Sequence, residues 1–395
     1  MVKALSHIEW NPPMGDRINA QFADSSAFDQ TRLPVEQARH APGFIYTSPE
    51  LYELEKREIF MRDWLCVGRE EEIPNTGDYM ATRVLDEPLL LIRAENGEIN
   101  AFSNVCAHRG VEIVKGTGNA SALICPFHAW TYDLHGVLIG APLMREADQF
   151  ERSTCRLPPI RLTRWKGWLF VNFDNDAPDF SQQAEQLEAD FGFLRQEDCR
   201  LAVKTIAEVE CNWKLVVENL IDFYHVSVIH RATNGKLFTN DAFRFTGRPR
   251  GGYVAEYNSG PSTFSRKPVF GRAPWLADKS DAFSMAGCWR RISRCSPASI
   301  PSIPMSPGRS VSTDPRRRLH AAAGDLLRSP ELCGGSRGVS SVPAAGRAGR
   351  RAPCWSRFRT AWDRVVSHRR MAGIENGVQH VLNGYLDRIL PAIQE

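Results

Sequence analysis

Between residues 88 and 173 the chain alternates short apolar-rich runs with turn residues. PLLLIRAENGEINAF is a pair of such runs around Asn96-Gly97, which accept the backbone angles of a tight hairpin. WTYDLHGVLIG repeats the pattern around a His-Gly pair. WKGWLFVNF, rich in aromatic and branched residues, predicts a further strand. This stretch therefore predicts a small all-β domain.

Helical patterns lie on both sides of that stretch. SPELYELEKREIFMRDWLCVG predicts a helix with Ser48 as N-cap and Pro49 in its first turn. SQQAEQLEADFGFLRQEDC predicts another helix, followed by a strand in RLAVKTIAEVEC. NWKLVVENLIDFYHVSVIH also looks helical, whereas residues 1 to about 40 are polar and are predicted to be irregular.

Composition narrows the class of protein. A chain of 395 residues can bury two cores, and a formal net charge of +3 gives no reason to expect nucleic acid as a partner. No signal-like or membrane-spanning apolar run is visible, so we expect a soluble, cytoplasmic protein without a membrane partner. Thiols stay reduced in that compartment. We expect the following four cysteines to be buried small apolar residues: Cys66, Cys155, Cys199 and Cys211.

Two short motifs beside the predicted hairpins each combine a cysteine with a histidine. NVCAHRG contains Cys106 and His108, and ICPFHAW contains Cys125 and His128, with sixteen residues between His108 and Cys125. Structural zinc is the first alternative, but zinc fingers usually pair like ligands. A [2Fe-2S] cluster with two Cys on one iron and two His on the other needs one thiolate and one imidazole from each loop. We interpret the pattern as a Rieske-type site, with zinc or chance as the alternative.

A second constellation lies in the helical-looking segment. Two imidazoles and one carboxylate on one side of an iron form the facial triad of non-haem Fe(II) oxygenases. His225 and His230 are five residues apart, which on an ideal helix separates them by about 140°. They share a metal only if the helix bulges or ends between them. Asp222, three residues before His225, is placed to hydrogen-bond the far nitrogen of a ligand imidazole. Taken alone, two histidines with this spacing are more often ordinary residues than metal ligands. The two upstream Cys/His motifs reverse this preference and favour a metal site.

The three motifs together resemble the large (α) subunits of Rieske non-haem iron oxygenases, the ring-hydroxylating dioxygenases and related monooxygenases. The resemblance rests on C-A-H-R-G, C-P-F-H-A-W-T-Y-D and E-N-L-I-D-F-Y-H-V-S-V-I-H in that order, and IENGVQHVLNGYLDRI looks like the closing helix. It implies an α+β fold. Residues 1–44 would pack on the catalytic domain, 45–160 would form an all-β Rieske [2Fe-2S] domain, and 161–395 a helix-grip-like catalytic domain with an antiparallel sheet and helices.

The resemblance also implies roles for individual residues. His225 and His230 would bind the mononuclear Fe(II), and Asp222 would link the two centres electronically. In the family this link crosses a subunit boundary, so that the cluster of one chain feeds the iron of the next. The [2Fe-2S] cluster would be bound by four residues: Cys106, His108, Cys125 and His128.

Partners and reaction follow from the same resemblance. Electrons would come from NAD(P)H through a separate reductase, with or without a ferredoxin, because the sequence shows no nucleotide-binding G-x-G-x-x-G motif. O2 and a small organic substrate would react at the iron of a homotrimer, or of an α3β3 assembly with a small subunit. Aromatic ring hydroxylation is the leading interpretation. Oxidative O- or N-demethylation, or hydroxylation of a quaternary ammonium compound, is the alternative, and a Rieske electron-transfer protein is the non-enzyme alternative.

Residues 287–369 differ in composition from the rest of the chain. Arg, Ser, Pro, Gly and Ala dominate, and no lysine follows Lys279. A basic disordered tail, a functional insertion and translation of GC-rich DNA out of frame are the competing explanations. The last is preferred, because family-like sequence resumes near residue 370. The predicted fold of this stretch is irregular or aberrant. It should hold the third iron ligand, for which Asp363 in TAWDRVV is the candidate.

Overall fold

The computed structural model describes about three fifths of the chain. Its described residues are 25–144, 150–192, 195–201, 204, 207–209, 211–222, 224–229, 243–247, 253–257, 285–289, 299–301, 309–311, 319–321, 327–328 and 370–394. The α-helices in these ranges are α1 (Asp29–Arg32), α2 (Phe44–Thr47), α3 (Pro49–Glu55), α4 (Ser181–Phe191), α5 (Trp213–Ile221), α6 (Val226–Ile229) and α7 (Asn376–Gln394). A π-helix spans Lys56–Phe60, and 3-10 helices span Ser25–Phe28, Glu70–Glu72, Arg152–Thr154, Gln196–Asp198 and Gly373–Glu375.

The first half of the chain is built from three antiparallel sheets. Their strands are β1 (Leu65–Arg69), β2 (Asp78–Val84), β3 (Glu87–Arg93), β4 (Ile99–Ser103), β5 (Thr117–Asn119), β6 (Leu123–Ile124), β7 (Thr131–Tyr132), β8 (Leu138–Gly140), β9 (Arg161–Trp165) and β10 (Trp168–Asn172). The strand orders are β4-β3-β2-β5, β6-β7-β8 and β1-β10-β9. The predicted all-β domain is therefore confirmed.

The predicted hairpins form, although their turns differ in length. Between β3 and β4 the Ala94 N–H donates to the Glu98 carbonyl, and only Gly97 has a positive φ, at 82°. That turn is longer than the two-residue turn expected from Asn-Gly. Between β7 and β8, Gly136 has φ 75°, and a Cβ there would lie 2.8 Å from the Phe102 ring. Glycine is required at that position by backbone angle and by space.

The helix predicted from residue 48 is correct at its start and wrong at its end. Ser48 caps α3, and its side-chain oxygen accepts the Leu51 N–H at 3.1 Å. The helix ends after the π-helical turn Lys56–Phe60, and LCVGR forms the strand β1. All five residues of β1 are buried. A short, mostly apolar run fits a buried helix or a buried strand equally well, and pairing with β10 decides for the strand.

The second half combines helices with short antiparallel strands. The strands are β11 (Arg200–Leu201), β12 (Ala207–Val209), β13 (Phe243–Gly247), β14 (Tyr253–Tyr257), β15 (Met285–Trp289), β16 (Ser299–Pro301), β17 (Arg309–Val311), β18 (Leu319–Ala321) and β19 (Leu327–Arg328). They form the sheets β13-β14-β15-β16, β12-β18-β17 and β11-β19. The predicted α+β class is confirmed, and β11 and β12 are the strand predicted after α4, in two pieces. Residues 287–369 were predicted to be irregular, but four short strands, β16 to β19, lie within them. Backbone hydrogen bonds between strands do not require alternating apolar residues, so the sequence pattern did not reveal these strands.

One large core joins both ends of the described chain. Apolar residues of the N-terminal segment, α3, β1 to β3, α5 and α7 form a single buried cluster. Phe28 and Ala38 belong to it, so residues 25–40 are ordered parts of this core rather than the irregular segment predicted. Arg32 pairs with Asp387 of α7 at 2.8 Å. No helix in the described ranges is long and apolar enough to span a membrane.

The cysteines outside the two motifs differ in burial. Cys66 is fully buried, as predicted. Cys155, Cys199 and Cys211 are only half-buried, so the prediction for these three was wrong in degree. Cys155 and Cys199 directly follow 3-10 helices, and Cys211 directly precedes the N-cap of α5. Connecting segments of this kind run along the protein surface.

Candidate metal centres

The two Cys/His motifs fold into loops with the same backbone frame. The Gly110 N–H donates to the Cys106 carbonyl at 2.9 Å, and the Ala129 N–H donates to the Cys125 carbonyl at 3.0 Å. Each Cys N–H in turn donates to the carbonyl five residues later, in Val111 or Trp130. Gly110 and Ala129 both have positive φ, at 68° and 55°. Counted from its cysteine, the histidine is the third residue of the first loop and the fourth residue of the second. Two loops with the same backbone hydrogen bonds therefore carry the unequal spacings C-x-H and C-x-x-H.

The four side chains converge with thiols inside and imidazoles outside. Cys106 and Cys125 are 3% and 2% exposed, and their thiols interact with each other. His108 is half-buried, His128 is exposed, and their Nδ1 atoms lie 3.1 Å apart. That separation suits two nitrogens bound to one metal ion at about 2 Å each. The donor set therefore fits a [2Fe-2S] cluster whose inner iron takes the thiolates and whose outer iron takes the imidazoles.

No group of three or more His, Cys, Asp or Glu side chains is placed to hold a single metal ion within the described ranges. A cluster of the kind predicted puts only two protein ligands on each iron, so a pair of cysteines and a pair of histidines is the expected arrangement. A four-ligand structural zinc site would bring all four donors around one point. The pair of imidazoles and the pair of thiols fit a cluster that has two protein ligands on each iron.

Two aromatic residues support this site in ways that the sequence did not reveal. Trp130 stacks on the His108 imidazole, with ring centroids 4.7 Å apart and planes within 8°. Tyr132 Oη lies 3.3 Å from the Cys106 sulfur and accepts the Ala107 N–H at 3.1 Å. Because its oxygen already accepts that N–H, the hydroxyl hydrogen is available to donate to the sulfur. Both residues lie two to four positions after His128, within C-P-F-H-A-W-T-Y-D, and this position in the motif was the only signal of a role.

The protonation of the ligands also depends on this environment. Desolvation, with His128 and Arg109 adding to it, lowers the pKa of His108 and favours the neutral imidazole that binds metals. Desolvation raises the pKa of the Cys106 thiol, while the Tyr132 hydrogen bond lowers it. A bound metal ion outweighs the effect of desolvation on the Cys106 thiol, because a coordinating thiol is deprotonated outright.

The second constellation begins at a helix break. α5 ends at Ile221, and Asp222 has extended backbone angles, with φ −76° and ψ 100°. Its Oδ1 accepts the Tyr224 N–H at 2.7 Å, and its Oδ2 lies 2.9 Å from His225 Nδ1. A carboxylate accepts, so Nδ1 carries the hydrogen and Nε2 is left to bind a metal. The predicted Asp222–His225 contact is present, but it is made across a turn and not along one helix.

The remaining predicted iron ligands are not placed by the structure. α6 follows His225 directly, and the His225 carbonyl accepts the Val228 and Ile229 N–H groups at 3.1 and 2.8 Å. His230 and Asp363 lie outside the described residues. Whether the helix ends between His225 and His230 therefore stays a prediction, as does the third ligand.

Comparison with protein families identifies the domains that contain the two candidate centres. A family model described as "Rieske [2Fe-2S] domain" matches residues 63–151, and one described as "Ring hydroxylating alpha subunit (catalytic domain)" matches residues 196–286. The chain joins a Rieske domain to a ring-hydroxylating alpha-subunit catalytic domain. The Rieske match contains all four predicted cluster ligands, and the ring-hydroxylating match contains Asp222, His225 and His230. That second match ends one residue before the stretch of aberrant composition.

Curated Rieske oxygenase subunits align with the same part of the chain. The carnitine monooxygenase oxygenase subunit of Acinetobacter baumannii is 34% identical over 194 residues, covering 48% of this chain and 52% of the relative. The glycine betaine monooxygenase oxygenase subunit of Chromohalobacter salexigens is 34% identical over 200 residues, covering 50% and 45%. Biphenyl 2,3-dioxygenase subunit alpha of Rhodococcus jostii is 33% identical over 228 residues, covering 56% and 49%. The chain matches about half the length of each relative.

Solved Rieske oxygenases share the fold. A quaternary ammonium Rieske monooxygenase in complex with L-carnitine superposes with a TM-score of 0.63 at 22% identity, covering 88% of this chain and 96% of that chain. Naphthalene 1,2-dioxygenase from Rhodococcus sp. gives a TM-score of 0.59 at 21% identity, covering 90% and 82%. At these identities the likeness concerns the fold alone.

Proposed function

We propose that the chain is the terminal oxygenase component of a Rieske oxygenase system. It takes electrons that a separate reductase, with or without a ferredoxin, draws from NAD(P)H, and it inserts oxygen from O2 into an organic substrate. The observation that carries the proposal is that one chain holds both a paired Cys/His cluster site and an aspartate that orients a metal-binding histidine. We place the enzyme in the cytoplasm.

The residues are assigned to two metal centres with different functions. When bound, a Rieske cluster supplies one-electron transfer and a mononuclear iron supplies oxygen activation. The buried Cys106 and Cys125 would hold one side of the cluster, and His108 and His128, nearer the solvent, would hold the other. Asp222 fixes the orientation and tautomer of His225. His230 and Asp363 are proposed to complete the iron site.

Oxygenation of a quaternary ammonium compound is the first candidate reaction. The carnitine and glycine betaine monooxygenase subunits align at 34% identity with the part of the chain that carries both motifs. Two residues separate Asn219 from Asp222, a spacing that resembles demethylases and oxygenases of quaternary ammonium compounds. This was the alternative interpretation of the sequence, and these relatives give it more weight.

Aromatic ring hydroxylation is the second candidate. Biphenyl 2,3-dioxygenase subunit alpha aligns at 33% identity over a longer part of the chain. Oxygenases of quaternary ammonium compounds often carry glutamate at the position of Asp222, so the aspartate favours ring hydroxylation. A Rieske protein that only transfers electrons is disfavoured, because such a protein has no use for the Asp222–His225 pair.

Association into a trimer is supported by two sets of exposed large apolar residues. The first set lies within or shortly after the second Cys/His motif along the chain, and its members are Ile124, Phe127, Val137, Ile139 and Leu143. The second set follows Asp222, and its members are Tyr224, Val228 and Ile229. Exposed apolar side chains that gather on one surface mark interaction sites. We propose that the first set of one chain meets the second set of its neighbour, in a homotrimer or an α3β3 assembly.

Reductase-dependent oxygen uptake tests the function and the substrate class together. The frame-corrected enzyme, a Rieske reductase and NADH should consume O2 with carnitine or glycine betaine and yield a formaldehyde or aldehyde product. Uptake with biphenyl or an aromatic acid, yielding a diol, would instead establish ring hydroxylation. Reversible reduction of the cluster without O2 uptake on any substrate would overturn the oxygenase proposal.

A further inference from the structure

A buried group of charged residues lies around α5, the helix that ends directly before Asp222. Glu55 of α3 is fully buried, and Lys214 of α5 is 2% exposed. The Glu55 carboxylate accepts from Lys214 Nζ at 2.5 Å, Trp213 Nε1 at 2.6 Å and the Tyr385 hydroxyl at 2.8 Å. Its hydrogen-bonding capacity is thus met by three donors from two elements of the large core. The buried ammonium of Lys214 forms an ion pair with Glu55.

A second buried carboxyl shares this environment. Glu218 is 7% exposed and lies one helical turn after Lys214 on α5. The Tyr46 hydroxyl donates to its Oε1 at 2.8 Å. Two buried carboxyls therefore compete for one ammonium that is already paired. An ionised carboxylate in such a place is strongly disfavoured, and a buried carboxyl usually stays neutral instead.

The other charged groups that act on Glu218 are mostly acidic. Asp222 follows one turn later, directly after the end of α5, and Glu375 approaches from the 3-10 helix before α7. His40, from the segment before α2, lies 3.9 Å from Glu375 and is itself influenced by Asp222. Burial above all, and then Glu375 and Asp222, raise the pKa of Glu218 to about 8, although Tyr46 and Lys214 act in the opposite direction.

We propose that Glu218 is a positioning residue that holds a proton beside Asp222, so that Asp222 carries the negative charge that faces His225. The role rests on the proposed function, since it serves the iron site. With Glu218 neutral, the Asp222 carboxylate keeps its two hydrogen bonds, to Tyr224 and to His225. When Glu218 ionises, a like charge one turn away repels the Asp222 carboxylate and loosens its hold on His225.

The protonation state has a measurable consequence for stability. The pKa of Glu218 is raised in the folded protein, so its contribution to stability is present below the ordinary glutamate pKa and is lost as pH rises through about 8. The side chain introduced by Glu218→Gln is neutral at every pH. The melting temperature of this variant, relative to that of the unchanged chain, should therefore rise between about pH 5 and about pH 8 and level off above it. Glu185→Gln, at an exposed position of α4, is the matched control and should give a curve parallel to the unchanged chain.

Three measurements on the full chain test the proposal. The melting curves against pH are the first, and the infrared band of a protonated carboxyl, present at pH 7 and absent in Glu218→Gln, is the second. The third is the Fe(II) retained against pH in a frame-corrected chain, which should fall more steeply above pH 8 with Glu218 present than in the Glu218→Gln variant. Melting temperatures that change with pH in parallel, together with no infrared band, would overturn the claim that Glu218 holds a proton. Identical iron retention would overturn its positioning role.

A second variant covers the case in which Glu218→Gln fails to fold. The Tyr46 hydrogen bond lowers the pKa of Glu218, so Tyr46→Phe should move loss of the infrared band to higher pH. An unmoved band would contradict the proposal. The stability and infrared results do not depend on oxygenase activity. A chain that passes them without consuming O2 would refute the proposed function alone, whereas an active oxygenase with flat pH curves would refute the role of Glu218 alone.

Discussion

Gly110 and Ala129 occupy the same position in the two cluster loops, with the same left-handed backbone. A left-handed conformation costs an alanine roughly 1–2 kcal/mol, against about 0.5–1 kcal/mol of extra chain entropy lost by glycine. Ala129→Gly should therefore raise the free energy of unfolding by about 0.5–1 kcal/mol, and Gly110→Ala should lower it by a similar amount. Denaturant midpoints of the cluster-loaded protein would measure both changes. Shifts in the same direction for the two variants would contradict the shared frame.

The Tyr132 hydroxyl should tune the cluster that Cys106 binds. A hydrogen bond to a cluster sulfur stabilises the more negative, reduced state, and such bonds are among the factors that set the potential. Tyr132→Phe removes the contact at 3.3 Å from the sulfur, so the reduction potential should fall. Tyr79→Phe, on β2 beside the same core, is the control and should leave the potential unchanged. Equal potentials in Tyr132→Phe and the unchanged chain would show that the hydroxyl does not donate to the sulfur.

At the scale of elements, the break between α5 and α6 is what makes Asp222 useful. Both of its oxygens accept N–H groups, one from Tyr224 and one from His225. An asparagine has one acceptor oxygen, so Asp222→Asn presents an amide N–H to one of these donors. If that donor is His225 Nδ1–H, the imidazole takes the other tautomer and Nε2 no longer binds metal. Loss of such a partner typically costs about 10–100-fold in metal affinity or activity.

Iron analysis and cluster kinetics separate two roles of Asp222. Loss of mononuclear iron in Asp222→Asn, with an unchanged cluster spectrum, fits the orienting role, and His225→Ala should show the same loss more completely. If both metals stay bound while the reduced cluster is reoxidised far more slowly by O2 and substrate, Asp222 lies on the electron route. Full iron retention with normal reoxidation would contradict both roles.

The elements that the sequence predicted are those with local causes. The cap at Ser48, the glycine turns at Gly97 and Gly136 and the helical pattern of α4 are specified within a few residues. The transition from the π-helix into β1 was missed because pairing with a distant strand decides it. The four cluster ligands were predicted from spacing. The contacts of Trp130 and Tyr132 were not, because each depends on bringing the other loop alongside.

At the scale of the whole molecule, the chain changes character between residues 286 and 287. The match to the catalytic-domain family ends at residue 286, and the sequence beyond it to residue 369 is dominated by Arg, Ser, Pro, Gly and Ala. The closing helix α7 nevertheless packs in the large core with α3 and α5. A family-like start, a family-like end and an aberrant middle are what a pair of compensating frameshifts would produce.

Translation of the coding DNA for residues 287–370 in all three frames tests this interpretation. We expect one alternative frame to restore a helix that carries an aspartate, which would then replace Asp363 as the third iron ligand. The uncorrected chain should assemble the cluster but show little or no oxygenase activity. Full activity of the uncorrected chain would contradict the frameshift and make Asp363 the leading candidate.

The Rieske site is the centre of the account, because the proposed electron supply and reaction depend on it. Electron paramagnetic resonance of the reduced, purified protein tests it most directly, with iron and sulfide analysis of the same sample. The account predicts about two irons and two sulfides per cluster and a rhombic signal with low average g. Hyperfine coupling to the nitrogens of His108 and His128 should change on ¹⁵N-histidine labelling. A colourless zinc protein, or a cluster signal without nitrogen coupling, would contradict the account.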